Sequence, residues 1–228
     1  MKKLVVFSGA GMSAESGIST FRTNGGIWEN YNIEDVATPQ AWKKDPDLVT
    51  DFYNERRKQI MEVEPSLAHT LVAQLQERYD LKVVTQNIDD LHERAGCKDV
   101  LHLHGNIMYA KSSGPSQDKL YPVLYWCLTK NDKCDEGHRL RPHVVWFGES
   151  VPMLDIAAEI IGEADVFIVI GTSLNVYPAA GLIHAAVNAK EKVIIDPNVD
   201  QMDIPADFES IKKGAAVGLE LWQKKEAP

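Results

Sequence analysis

Four groups of residues in this 228-residue chain have types and spacing suited to chemistry. Gly9, Gly11 and Ala14 directly follow the apolar run Leu4–Phe7 and match the pattern G-x-G-x-x-G/A. Glycines at such a corner permit a tight turn and let backbone N–H groups approach a pyrophosphate at a helix N-terminus. An ordinary strand–turn–helix corner carries the same short pattern. His104 closes a second apolar run, Val100–Leu103, and an imidazole with a pKa of about 6.5 suits proton transfer around neutrality. The alternative for any histidine is a hydrogen-bonded structural role, which suits His102, His143 or His184 better. Gln86, Asn87 and Asp89 end a third run, Leu81–Thr85. By themselves Asn87 and Asp89 serve equally well as N-caps for a helix at Asp90.

The fourth group lies on one helix, whose start is marked by Asp45-Pro46. Val49, Tyr53, Arg56 and Ile60 recur at i, i+4, i+7 and i+11, a single helical stripe. Arg56 therefore faces inward among apolar neighbours while Arg57 points elsewhere. A buried cation needs an anionic partner, and the planar guanidinium fork matches a carboxylate through two hydrogen bonds. Spacing alone leaves two partners open: an acidic side chain such as Glu55 or Glu62, or a carboxylate on a ligand.

These groups need a frame. Candidate strands are Leu4–Phe7, Leu81–Thr85, Val100–Leu103, His143–Phe147, Val166–Ile170, Val193–Ile195 and Ser210–Lys212. Several are apolar at every position, as strands buried on both faces are. Helical patterns fall between them at Ser66–Tyr79, Asp90–Ala95, Asp155–Ile161 and Ala179–Ala189. This order predicts an α/β fold with a Rossmann-like, doubly wound parallel sheet. Two stretches break the alternation. Residues 28–65 carry only loop and helix signals, and residues 108–142 are rich in Lys, Ser, Gly, Asp and Pro around an aromatic patch, Tyr121–Trp126. Both are expected to form a smaller inserted lobe.

Composition removes several classes. With 33 acidic against 24 basic residues, the formal charge is -9, and no basic cluster exceeds Arg56-Arg57-Lys58. Nucleic-acid binding through bulk charge is not expected. No apolar stretch approaches the ~20 residues of a membrane span, and the first apolar run stops far short of a signal-peptide core. Three scattered cysteines fit a reducing compartment, so a soluble cytoplasmic protein is expected. A hydride-transfer enzyme is disfavoured, because the ribose-binding acid expected about 20 residues after the glycine loop is absent.

Five blocks read together are similar to one family. They are Gly9-Ala10-Gly11-Met12-Ser13 through Gly17-Ile18-Ser19-Thr20-Phe21-Arg22, then Thr85-Gln86-Asn87-Ile88-Asp89-Asp90-Leu91-His92, Leu103-His104-Gly105-Asn106, Arg141-Pro142-His143-Val144-Val145-Trp146-Phe147-Gly148-Glu149, and Gly171-Thr172-Ser173-Leu174. In this order the set resembles the sirtuins, NAD-dependent protein-lysine deacylases, over nearly the whole chain. Ser19 departs from the proline usual there. The resemblance implies one catalytic domain over 1–228. Residues 1–27, 80–107 and 143–228 would form the NAD-binding lobe, and 28–79 with the zinc-lobe remnant 108–142 the small lobe.

It also implies a mechanism and a set of contacts. The acyl-lysine carbonyl oxygen would attack C1′ of the nicotinamide ribose as the cationic leaving group departs, with oxocarbenium character as in glycoside cleavage. A general base, His104, would then deprotonate a ribose hydroxyl, which attacks the imidate. The products would be free lysine, nicotinamide and O-acyl-ADP-ribose, an acyl transfer to ADP-ribose. Asn87 and Asp89 would order the nicotinamide pocket and Gln86 would meet the ribose. NAD would further touch Gly9, Ala10, Gly11, Ser13, Ser16, Phe21, Arg22, Trp28, Ile88, Gly171, Thr172 and Ser173. Asn198 and Ala215 are adenine-side candidates, although Asp196-Pro197-Asn198 is unlike the family there. Val145, Trp146, Phe147 and Gly148 would pair with an extended substrate peptide by strand addition.

Phe52-Tyr53-Asn54-Glu55-Arg56-Arg57 and Ala37-Thr38-Pro39 resemble the sirtuin branch that removes succinyl, malonyl or glutaryl groups. Tyr53 and Arg56 would then bind the acyl carboxylate, with acetyl-lysine a further substrate. Most sirtuins hold structural zinc through two C-x-x-C pairs. Here Ser112 and Pro115 replace the first pair, and only Cys134 remains of the second, with Gly137 opposite. Cys127, Cys134 and His138 are irregularly spaced, so no metal is expected. The lobe would instead be packed by Leu120, Tyr121, Val123, Leu124, Tyr125 and Trp126. Two other functions use the same pocket: an NAD- or ADP-ribose-binding sensor with little catalysis, and a protein mono-ADP-ribosyltransferase.

Overall fold

A computed structural model describes residues 1–18 and 31–226. Among them the elements run β1 (Lys3–Ser8), α1 (Ala10–Ala14), α2 (Ile33–Val36), α3 (Pro39–Lys44), α4 (Pro46–Glu62), α5 (Leu67–Gln74), β2 (Asp80–Thr85), α6 (Leu91–Arg94) and β3 (Val100–His102). Then follow β4 (Gly105–Ser112), β5 (Leu120–Pro122), β6 (Leu140–Val144), α7 (Leu154–Gly162), β7 (Val166–Ile170), β8 (Glu191–Ile195), β9 (Glu209–Ile211) and α8 (Ala215–Glu226). The fold is α/β.

The six-stranded sheet has the order β3-β2-β1-β7-β8-β9, and all its pairings are parallel. Every residue of β7 is buried, as its unbroken apolar sequence requires. Alternate side chains pack two layers. Leu4, Val6, Ile168 and Ile170 meet Val72 of α5 and Leu219 and Trp222 of α8. Val5, Phe7, Phe167 and Val169 meet Ala157 and Ile161 of α7 and Leu182 and Ile183. Burying each of the Val, Leu, Ile and Phe side chains among these contributes about 1.5–3 kcal/mol.

The inserted segments build a second layer system. A three-stranded antiparallel sheet, β5-β4-β6, stands beside α2, α3 and α4. Helix α4 starts where Pro46 supplies a preset φ and Asp45 Oδ1 accepts the Leu48 N–H at 2.9 Å. Its stripe of Val49, Tyr53 and Ile60 packs against Ile107 of β4, Val144 of β6 and Trp146.

Several expectations need correction. The strand expected at His143–Phe147 ends at Val144 and pairs antiparallel with β4 instead of joining the large sheet. The aromatic patch is not the lobe's core: Leu124 is 79% and Tyr125 75% exposed, and Leu120 and Trp126 are also exposed. Ala110, Leu128, Cys134 and Leu140 fill the interior instead, with Tyr121 and Val123 against them. The helix expected over Ala179–Ala189 is a 3-10 helix ending at Ala185. Helix α8 was not expected at all. Its glycine and mixed polar face blur the periodicity.

Candidate active site

The large sheet reverses its winding between β1 and β7, and open α/β sheets bind ligands in the crevice outside such a point. Two loops interlock there. The Gly9 N–H donates to the Ile170 carbonyl at 3.0 Å and the Gly11 N–H to the Gly171 carbonyl at 2.8 Å. A methyl group on Gly11 would stand 2.7 Å from the Gly171 Cα, and one on Gly9 2.7 Å from the Thr172 Cβ. The glycines thus serve the approach of one loop to the other, and the amides of Gly9 and Gly11 are spent on it. Gly171 itself has φ +60°, a left-handed conformation that a side chain rarely tolerates.

The segment after β2 is tied to this corner through side chains. Gln86 Nε2 donates to Thr172 Oγ1 at 2.9 Å. Asn87 Nδ2 donates to the Gly9 carbonyl at 3.1 Å and to Ser13 Oγ at 3.0 Å, and Ser13 Oγ donates to Asp89 Oδ2 at 2.9 Å. Asp89 Oδ1 accepts the Leu91 N–H at 3.2 Å, so this residue also supports the start of α6. Burial raises the Asp89 carboxyl above the usual carboxylate range, against the pull of Ser13.

His104 sits half-buried between β3 and β4, with Nδ1 3.0 Å from the Gln86 carbonyl oxygen. A carbonyl can only accept, so Nδ1 carries the proton and Nε2 keeps its lone pair. Burial lowers its pKa and the Gln86 carbonyl opposes that shift, so the ring is neutral at pH 7. His102 has the structural role: its nitrogens meet the Asn87 carbonyl at 2.9 Å and Glu93 Oε1 at 2.7 Å.

Helix α4 brings Arg56 to the same place. Arg56 is buried and donates from Nη1 to Gln59 Oε1 at 3.1 Å. Burial lowers its pKa, while the Asp89 carboxylate and Tyr53 act in the opposite sense, so both lie within electrostatic reach. Tyr53 is buried edge-on to Phe52, and desolvation raises its hydroxyl well above the ordinary value. Arg57 does leave the stripe, yet it is wholly buried. Its Nε donates to the Ile107 carbonyl at 2.7 Å, and Nη1 to Asn54 Oδ1 and the Trp126 carbonyl at 2.9 and 3.0 Å.

Across from α4, the Val145 N–H donates to the His104 carbonyl at 2.9 Å and the Phe147 N–H to the Ala37 carbonyl at 3.0 Å. Trp146 is buried, whereas Phe147 and Gly148 are exposed. The remaining expected contacts spread along the same edge. Ala10, Ser16, Ile88 and Ser173 are partly buried around the two loops. Asn198 is exposed after β8, and Ala215 opens α8, where Glu15 Oε1 accepts the Ala216 N–H at 3.3 Å. Phe21, Arg22 and Trp28 lie outside the described residues.

A dinucleotide fits these residues: the crevice at the winding reversal is polar, and Ser16 Oγ is buried with no hydrogen-bond partner among the described residues. Zinc fits poorly. Ser112 Oγ donates to Cys134 Sγ at 3.3 Å, and among the described residues no three His, Cys, Asp or Glu side chains converge on one point.

The model of the Sir2 family matches residues 9–178. This chain belongs to the Sir2 family. A relative from Bacteroides thetaiotaomicron, an NAD-dependent protein deacylase, is 47% identical over 224 residues, covering 96% of each chain. One from Helicobacter pylori with the same name is 44% identical over 223 residues, covering 96% of this chain and 93% of its own. Among solved structures, a Sir2 homolog–NAD complex superposes with a TM-score of 0.84 at 37% identity, over 99% of this chain and 91% of that one. A Sir2 homologue mutant bound to ADP-ribose gives 0.86 at 38%, over 99% and 93%.

Two buried charged groups near these residues are arranged by the fold alone. Arg57 leaves the apolar stripe, and periodicity cannot foresee the Ile107 and Trp126 carbonyls that meet it there. Arg141 and Glu149 open and close one of the five blocks, but only the fold brings their side chains together.

Proposed function

We propose that this Sir2 protein removes acyl groups from protein lysines with NAD as co-substrate. NAD supplies a ribose carbon that becomes electrophilic as nicotinamide leaves. One observation carries the assignment of roles: the Gln86 carbonyl fixes the His104 tautomer, leaving Nε2 as a neutral acceptor beside the winding reversal. His104 is therefore suited to take the proton of a ribose hydroxyl. Asn87 and Asp89, linked through Ser13, shape the nicotinamide pocket. Gln86 orients the ribose, and Gly171, Thr172 and Ser173 underlie the diphosphate.

Succinyl- and malonyl-lysine are the favoured substrates in this reading. Arg56 offers a buried cation beside Tyr53, and a ligand carboxylate would form a charge-assisted fork with it. Residues 145–148 offer the edge on which the peptide extends. The donor set around Cys134 supports a small lobe that needs no metal.

The test offers acetyl-, succinyl- and malonyl-lysine peptides with NAD and follows nicotinamide and O-acyl-ADP-ribose by mass spectrometry. Nicotinamide released only with acyl peptide supports the reading. ADP-ribose left on protein would favour mono-ADP-ribosyl transfer, and tight ADP-ribose binding without turnover would favour a sensor.

A further inference from the structure

Residues 145–149 are held by a closed ring of side-chain bonds. The Arg141 guanidinium is buried and grips Glu149 with both forks, Nη1 to Oε1 at 2.7 Å and Nη2 to Oε2 at 3.1 Å. Nη2 also donates to the Val144 carbonyl at 2.9 Å. Glu149 Oε2 in turn accepts the Trp146 N–H at 2.8 Å, and the Glu149 N–H returns to the Trp146 carbonyl at 3.0 Å. The guanidinium carbon lies 3.2 Å from the centroid of the Trp146 ring. Trp146 itself packs beside Trp42, 5.7 Å between ring centroids.

A buried ion pair of this kind is a poor stabiliser, because apolar residues of equal volume serve as well or better. Its particular contribution is geometry. The ring leaves the Val145 and Phe147 amides directed at the His104 and Ala37 carbonyls, so the segment is pinned at once to the loop bearing the imidazole and to the wall near Tyr53. Glu149 stays ionised, since Arg141 and the Trp146 N–H outweigh the cost of its burial.

We infer that Arg141 and Glu149 are positioning residues for the peptide substrate, fixing the register of 145–148 so that a docked acyl-lysine points toward His104. The inference rests on the proposed function and adds the pair that aligns its substrate. Loss of the ring leaves the Gly9–Gly171 corner intact, so peptide and NAD should respond differently.

The test is steady-state kinetics on Glu149→Gln, Arg141→Lys and Arg141→Met with acyl-lysine peptide and NAD varied separately. Arg141→Met should raise the peptide KM about tenfold or more, a size typical of a misplaced substrate, with kcat at saturation and the NAD KM nearly unchanged. Glu149→Gln keeps an acceptor for the Trp146 N–H and should fall between parent and Arg141→Met. It also serves if Arg141→Met does not fold. An unchanged peptide KM in a working enzyme, or NAD and peptide constants rising together, overturns the inference alone. A parent protein that consumes no acyl peptide overturns the proposed function first, and the inference with it.

Discussion

The His104 ring is oriented by Gln86, whose carbonyl oxygen lies 3.0 Å from Nδ1. The same Gln86 reaches Thr172 through its side chain, so one residue joins the imidazole to the loop after β7. His104→Ala should lower kcat about 10²–10⁴-fold, the usual worth of a positioned general base. Because burial lowers the His104 pKa, the acidic limb of the kcat/KM profile should fall below the ordinary histidine range. Activity is lost as pH drops through that lowered value. An alanine variant as fast as the parent would contradict the assignment.

Arg56→Met should cut kcat/KM for succinyl-lysine peptide about 30-fold or more, since losing one partner of a buried charge pair costs about 2–5 kcal/mol. Acetyl-lysine turnover should change little. Gln59→Glu would give Arg56 an internal carboxylate in place of the amide oxygen at 3.1 Å, and should impair succinyl turnover selectively by competition. Equal losses on both peptides would show that neither residue reads the acyl group.

Gly11→Ala tests the loop corner. The added methyl would meet the Gly171 Cα at 2.7 Å, forcing two loops apart at a cost of about 1–3 kcal/mol. Titration calorimetry should show ADP-ribose binding weakened by about tenfold or more, in line with about 1.4 kcal/mol per decade. Unchanged affinity would mean that the crevice lies elsewhere.

Stability should fall in acid through a buried histidine pair. His69 and His92 stack edge to face, 4.9 Å between centroids. Desolvation lowers the His69 pKa from 6.5 to about 4 and takes His92 well below its usual value. The unfolded chain then binds more protons than the native one, so stability is complete above pH 6.5 and declines as pH falls toward 4. Each histidine adds at most about 1.4 kcal/mol per pH unit to that slope. His69→Gln keeps an acceptor at the third position of α5, where His69 Nδ1 accepts the Ser66 N–H at 3.2 Å, and should flatten the dependence of Tm on pH between those limits.

Metal analysis should find well under about 0.1 equivalent of zinc per chain, given that a structural site needs four protein ligands. Chelator should leave both Tm and deacylation unchanged. One equivalent of zinc would mean that Cys127, Cys134 and His138 converge in a way the Ser112–Cys134 bond does not suggest.

Much of this protein is written in local pattern. The all-apolar Val166–Ile170 reads as a strand covered on both faces and is one, and Asp45-Pro46 marks the start of a helix on whose stripe Arg56 is buried. Short-range sterics and periodicity dictate such features, and the five blocks carried the family with them. Tertiary structure alone decided the rest. It turned His143 and Val144 into a small antiparallel sheet, left Tyr125 in solvent, and buried Arg57 among carbonyls from two distant segments. It also joined Arg141 to Glu149 across the turn that follows β6. The reason is physical: which residue meets a second layer, and which backbone carbonyls come to meet a buried arginine, depends on chain segments far apart in sequence, and no local spacing encodes where those segments come to rest.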